Sequence, residues 1–169
     1  MRAVLGRYAV LVVSVALLQR AVLAGIRIDG VSVDLLLVLA IAAGVVGGVE
    51  RGAVVGFACG CALDLMVTTP FGLGALSGLT AGSLAGFLES GIVHSARWLT
   101  ATISALSAAV GVVMFVLAGT LLGQPNWFDV HLLVVLVVVS AGAAVLVFPL
   151  RAACRWADPP MEGYRAAVR

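Results

Sequence analysis

The sequence contains few charged residues and no lysine. Asp, Glu, Lys and Arg together make up 11% of the 169 residues, and all ten basic residues are arginine. An average soluble domain carries about 25% charged residues. The formal net charge is only +2, and the arginines are scattered along the chain. This pattern argues against nucleic-acid binding, which needs a clustered basic face.

Residues that commonly carry catalysis or bind metals are also scarce. The chain has two histidines, His94 and His131, and three cysteines, Cys59, Cys61 and Cys154. The sequence contains no serine–histidine–aspartate set, no zinc-protease motif and no phosphate-binding loop. No histidine lies near the cysteines to complete a metal site. We therefore expect a protein that is not an enzyme and that uses no cofactor or metal.

Apolar residues are present in large excess. Hydrophobic residues make up 63% of the chain, glycine adds 20 positions, and the mean hydropathy is +1.20. A water-soluble globule of this size could not bury so much apolar surface. The apolar runs are continuous rather than alternating, which is typical of helices and not of a β-barrel. The sequence therefore predicts an all-α integral membrane protein.

Polar and turn-forming residues divide the chain into six apolar segments. We predict a bundle of six transmembrane helices over 1–150 and a polar cytoplasmic tail over 151–169. The predicted helices are 7–26, 31–49, 53–67, 71–93, 98–122 and 128–150. The first segment also resembles a cleavable signal peptide, because Arg2 and Arg7 precede it and small residues follow it. The apolar segments that come after it favour a retained helix.

The arginines predict the orientation of this bundle. If both termini lie on one side, that side carries every arginine except Arg20 and Arg27. Loops rich in arginine stay in the cytoplasm. We therefore expect both termini to be cytoplasmic and the protein to be a multi-pass protein of the cell (inner or plasma) membrane.

Glycines recur every fourth residue in two places. The first series is Gly44, Gly48, Gly52, Gly56 and Gly60, and the second is Gly74, Gly78, Gly82 and Gly86. This spacing puts the glycines on one helix face, where two backbones can approach closely. Close packing within the chain and a surface for a partner's helix are both consistent with it. Gly56 and Gly60 are the candidates we single out for either role.

Two aspartates are predicted to lie inside the membrane, toward its outer leaflet. Asp34 follows the start of the second segment, and Asp64 precedes the end of the third. A charged aspartate near the bilayer centre costs about 2.5–3.5 kcal/mol, so a partner is expected. We predict that Arg20 pairs with Asp34 or Asp64. The alternatives are a helix cap that meets the helix dipole, a proton or substrate site, and a partner contact. Glu89 is expected to reach toward Arg97.

The region from Val33 to Gly86 combines two aspartate–leucine motifs with regularly spaced glycines. It contains Val33-Asp34-Leu35-Leu36-Leu37, then Gly52, Gly56 and Gly60, then Leu63-Asp64-Leu65, and then Pro70-Phe71-Gly72-Leu73-Gly74-Ala75-Leu76. In these motifs the region resembles the MreD family of rod shape-determining proteins, whose first motif has proline in place of Val33. The resemblance makes Pro70 and Gly72 further candidates for a structural or partner-contact role.

This resemblance implies a non-enzymatic membrane scaffold of the bacterial cell-wall elongation complex. Such a protein contributes to rod cell shape and to lateral peptidoglycan synthesis. The implied partners are an MreC-like protein, an MreB-like cytoskeleton, a RodA-like glycosyltransferase and a class B penicillin-binding protein, besides membrane lipid.

A second functional class is consistent with six short, glycine-rich helices. The sequence is also similar in this respect to the substrate-binding subunits of energy-coupling-factor vitamin transporters. In that case Asp34, Asp64 and Trp127 would line a solute pocket near the outer surface.

Overall fold

The structure is a computed structural model that describes residues 2–23, 33–67, 72–90, 97–123 and 130–158. These residues form five α-helices and one π-helical turn. The elements are α1 (Arg2–Leu18), the π-helix Gln19–Leu23, α2 (Leu35–Asp64), α3 (Leu73–Ser90), α4 (Arg97–Leu121) and α5 (Val130–Ala157). The all-α class is therefore confirmed.

Four helical segments are long and apolar enough to cross a membrane. They are Val4–Ala21, Leu35–Asp64, Arg97–Leu121 and Leu132–Ala157. The glycine- and serine-rich α3 is not among them. The length and apolar character of these segments are typical of a membrane protein.

The count of six separate helices differs from the five α-helices of the described chain. The second and third predicted helices both fall within α2. In addition, α5 continues to Ala157, so residues 151–157 of the predicted tail are helical. The arginines from Arg151 onward predict the end of the apolar segment, but they do not interrupt the helix.

Gly48 breaks α2 without a loop. Its φ of 78° and ψ of −171° lie in a region that is essentially open only to glycine. The predicted helices 31–49 and 53–67 leave a turn at Glu50-Arg51-Gly52, where the charged residues indicate a membrane surface. These three residues are instead helical, and a single glycine makes the break.

The two parts of α2, residues 35–47 and 49–64, pack side by side as a hairpin. A Cβ atom built on Gly52 would lie 2.8 Å from the Cα atom of Gly44. Two residues eight positions apart are about 12 Å apart along a straight helix. The chain therefore reverses direction at Gly48.

The first part of α2 is the core of the protein. Every residue from Leu35 to Val45 is buried, and α1, α3, α4 and α5 all contact α2. Helix α3 is held against α4 by a hydrogen bond that Ser77 Oγ donates to the carbonyl oxygen of Gly111, at 2.7 Å. The glycine-rich α2 and α3 thus form a central unit, whose first part, Leu35–Val45, is enclosed by the other helices. Side chains such as Phe57 of α2 and Phe87 of α3 remain exposed on its outside.

We predict that Gly48→Ala destabilises the protein by about 1–3 kcal/mol, because a Cβ atom is strained at this backbone conformation. The measurement is the midpoint of unfolding by sodium dodecyl sulfate, followed by circular dichroism in mild detergent. Gly6→Ala in α1 is the matched control, since nothing lies within 4 Å of its new Cβ. Equal midpoints for the two variants would contradict the proposed role of Gly48.

Candidate functional site

The Asp64 carboxylate caps the N-terminus of α3. Its Oδ2 accepts hydrogen bonds from the backbone N–H groups of Gly72 (2.8 Å) and Ala75 (3.2 Å), and its Oδ1 accepts one from Gly74 (2.8 Å). Only 5% of Asp64 is exposed. The backbone N–H groups at a helix start have no partner within the helix, and the helix dipole favours a negative charge there. The end of α2 is thereby tied to the beginning of α3.

Asp34 caps α2 in the same way. Its Oδ1 accepts hydrogen bonds from the N–H groups of Leu36 (3.0 Å) and Leu37 (3.2 Å). The Leu36 N–H also donates to Gln19 Oε1 at 3.1 Å, which links the π-helical turn to the start of α2. The interpretation of Asp34 as a helix cap is confirmed.

Arg20 pairs with neither aspartate, so the predicted ion pair is wrong. Its side chain lies exposed on the π-helix. Within the described ranges, the ion pairs connect Arg51 with Asp158 and Arg151 with Glu89. Helix N-termini satisfy both carboxylates with backbone donors, which are already fixed in place. An arginine side chain would first have to be ordered.

The two glycine series contact each other. A Cβ atom built on Gly60 would collide with the carbonyl oxygen of Gly74, and one on Gly56 would collide with that of Gly78. The remaining pairs, Gly52 with Gly82 and Gly48 with Gly86, continue the contact along the helices. These glycines are therefore occupied by packing within the chain. Of the two roles left open by the sequence, packing is the one that the geometry supports.

Polar contacts at the opposite end of the bundle join α1, α2 and α5. Arg7 Nη1 donates to the carbonyl oxygen of Trp156 at 3.4 Å, and its guanidinium lies 5.5 Å from the centre of that residue's ring. Arg51 Nη1 lies 3.5 Å from Asp158 Oδ2. The turn at Gly48 is thus level with the end of α5.

Glu89 is paired with Arg151 at 3.8 Å, and not with Arg97 as predicted. Arg151 Nη1 also donates to Thr100 Oγ1 at 3.2 Å. Arg97 has an exposed side chain. Arg151, near the end of α5, thus contacts both α3 and α4.

Two cavities lined by described residues differ in size and in how far they are enclosed. The cavity beside Asp34 and Ser77 has a volume of about 10 Å³, which is close to the space needed by one water molecule. A groove of about 430 Å³ between α3 and α4 is open and lined mainly by apolar side chains, such as Leu84 and Phe87. Pockets for small ligands combine enclosure with converging polar groups. Trp127 and Pro70, also named from the sequence, lie outside the described residues.

No protein-family model, curated protein or solved structure matches this chain. The resemblance to the MreD family therefore depends on the sequence motifs alone.

We predict that Asp64→Ala destabilises the protein by about 2–3 kcal/mol, because three N–H groups at the start of α3 lose their acceptor. The unfolding midpoint in mild detergent measures this loss. Adding Arg20→Ala should not restore stability, because the two side chains do not interact and distant substitutions act independently. Recovery in the double variant would show that Arg20 and Asp64 are paired after all.

Proposed function

We propose that the chain is a non-enzymatic scaffold of the bacterial cell-wall elongation complex, with a role like that of the MreD family. It contributes to rod shape and lateral peptidoglycan synthesis through contacts in the membrane. Its partners are an MreC-like protein, an MreB-like cytoskeleton, a RodA-like glycosyltransferase and a class B penicillin-binding protein.

The observation that supports this proposal most directly is the placement of the motif residues. The two aspartates of the motifs cap α2 and α3, and the motif glycines pack these two helices together. The residues that carry the resemblance thus have connected structural roles in one central unit. A scaffold needs such a rigid unit to hold its outer helices in fixed positions.

We further propose that the chain crosses the membrane six times and has both termini in the cytoplasm. The passes are α1, residues 35–47, residues 49–64, α3, α4 and α5. The arginines support this orientation, because Arg7, Arg51 and Arg151 make their contacts at one end of the bundle. Arg97, one turn before Thr100, begins α4 at the same end. An end rich in arginine is the cytoplasmic one.

The topology can be tested with a reporter that is active only outside the cytoplasm. Fusion after Arg169 and insertion after Glu50 should both give no signal, because both positions belong to the arginine-rich side. Insertion after Gln124 should give a strong signal, and all three proteins should be present at similar levels. The opposite pattern would contradict the six-pass arrangement.

The function can be tested by depleting the chain in the bacterium that encodes it. We expect rod-shaped cells to become round and labelled cell-wall precursor to be lost from the side wall. Tagged protein purified in mild detergent should bring a class B penicillin-binding protein and a RodA-like protein with it. Wild type and the exposed control variant Glu50→Gln should both restore the rods.

Two results would contradict this function. One is a normal cell shape after depletion. The other is co-purification of transport ATPase subunits together with a growth requirement for a vitamin, which would support the transporter class instead.

A further inference from the structure

The central unit of the protein is shorter than the apolar part of a bilayer. At 1.5 Å per residue, residues 35–47 extend for about 20 Å and residues 49–64 for about 24 Å. The hydrocarbon core of a typical bilayer is about 30 Å thick. The α2 hairpin therefore falls short of at least one membrane surface.

The shortfall lies at the end where the two aspartates are found. At the arginine-rich end, the contact between Arg51 and Asp158 makes the hairpin turn level with the end of α5. At the other end, a Cβ atom on Gly142 would lie 2.7 Å from Val33 Cγ1, so Gly142 is level with the start of α2. From Gly142, α5 continues to Val130, which is about 18 Å farther along its axis.

Helix α4 also extends farther than the central unit on the aspartate side. Gly111 is level with Ser77, which donates a hydrogen bond to it. From Gly111, α4 continues to Leu121, about 15 Å farther along its axis, while α3 extends only about 6 Å beyond Ser77 to Leu73. Helices α4 and α5 thus project beyond the central unit on the aspartate side.

The exposed face of α1 is also short. Arg7 lies at the arginine-rich end, where it contacts Trp156. Gln19 is level with the start of α2, because it accepts a hydrogen bond from Leu36. Exposed apolar side chains such as Val13 lie between Arg7 and Arg20, over a length of about 20 Å.

Arg20 is exposed and lies at the end of this short face that is nearer to the two aspartates. No described acidic side chain pairs with it. Asp34 and Asp64 accept hydrogen bonds from backbone N–H groups instead. A charged arginine in the bilayer draws polar groups inward by local thinning and by snorkelling. Its planar guanidinium is well suited to bind a phosphate group.

We propose that Arg20 binds the phosphate of an outer-leaflet phospholipid, at a flank of the protein where the bilayer is thinned to about 20 Å. This inference rests on the six-pass arrangement proposed above. The thinning is confined to the flank of the protein that α1 forms. On α5, no charged residue lies between Leu132 and Leu150, and this uncharged stretch extends over about 28 Å. The lipid phosphate supplies the counter-charge that Asp34 and Asp64 do not.

The first test measures stability in bilayers of different thickness. The full chain is reconstituted in phosphatidylcholine with monounsaturated acyl chains of about 14 to 22 carbons, and its unfolding midpoint is followed in each. Wild type and Arg20→Lys should be most stable in the thinner bilayers. Arg20→Leu should move the optimum to chains longer by two carbons or more. An optimum that does not move in Arg20→Leu would overturn the proposal.

The counter-charge can be identified in the same bilayers. Asp29 is the one acidic residue between Arg20 and Asp34 in the sequence. Asp29→Asn should leave the optimum where it is in wild type. If it moves the optimum as Arg20→Leu does, Arg20 is paired within the chain and the proposed lipid contact is wrong.

The second test measures depth with a nitroxide spin label at Ala21 or at Val137. Both side chains are exposed, one beside Arg20 and the other on α5. We expect the label at Ala21 to be accessible to a water-soluble nickel chelate and the label at Val137 to be accessible to oxygen but not to the chelate. A label at Ala21 that the chelate cannot reach would overturn the lipid proposal alone. Access of the chelate to Val137 would overturn the membrane placement of α5, and with it the six-pass arrangement.

Discussion

The contact between the main chains of α2 and α3 determines most of the structure. Gly60 meets Gly74 and Gly56 meets Gly78 with no room for even one added carbon atom. In a membrane the hydrophobic effect does not drive helices together, so close packing has to do so. This contact also sets the register of the two helices, which is why Asp64 lies against the first N–H groups of α3.

The place of the buried Asp64 carboxylate follows from that register. A carboxylate in an apolar environment needs donors, and the start of a helix offers several that point in one direction. Asp64 accepts hydrogen bonds at the start of α3, including one from Ala75, which is eleven residues away in sequence. Asp34 accepts hydrogen bonds at the start of its own helix. The sequence contained a signal for the first of these caps. Gly72 and Gly74 follow Asp64 closely, and small residues at a helix start allow a carboxylate to approach the backbone.

The sequence predicted the features that depend on hydropathy alone. It did not predict the features that depend on how neighbouring helices pack. Hydropathy predicted the helical class, and the boundaries predicted for α4, 98–122, differ from the observed ones by one residue. The turn at Gly48 could not be predicted, because five glycines share the same spacing and only the φ angle distinguishes one of them. The partner of Glu89 depends on how α3, α4 and α5 lie beside one another, which periodicity along one helix does not contain.

The same close packing leaves little space between α2 and α3. Backbone atoms fill the space between α2 and α3, and the cavity beside Asp34 in the described part of the chain holds about 10 Å³. A solute site would need polar groups that converge on an enclosed space, whereas the aspartates here are committed to helix caps. Every described α-helix has an outer surface on which large apolar side chains are exposed, such as Leu17 of α1, Phe57 of α2 and Phe87 of α3. Exposed apolar surfaces of this kind are typical of membrane helices that contact lipid or other helices.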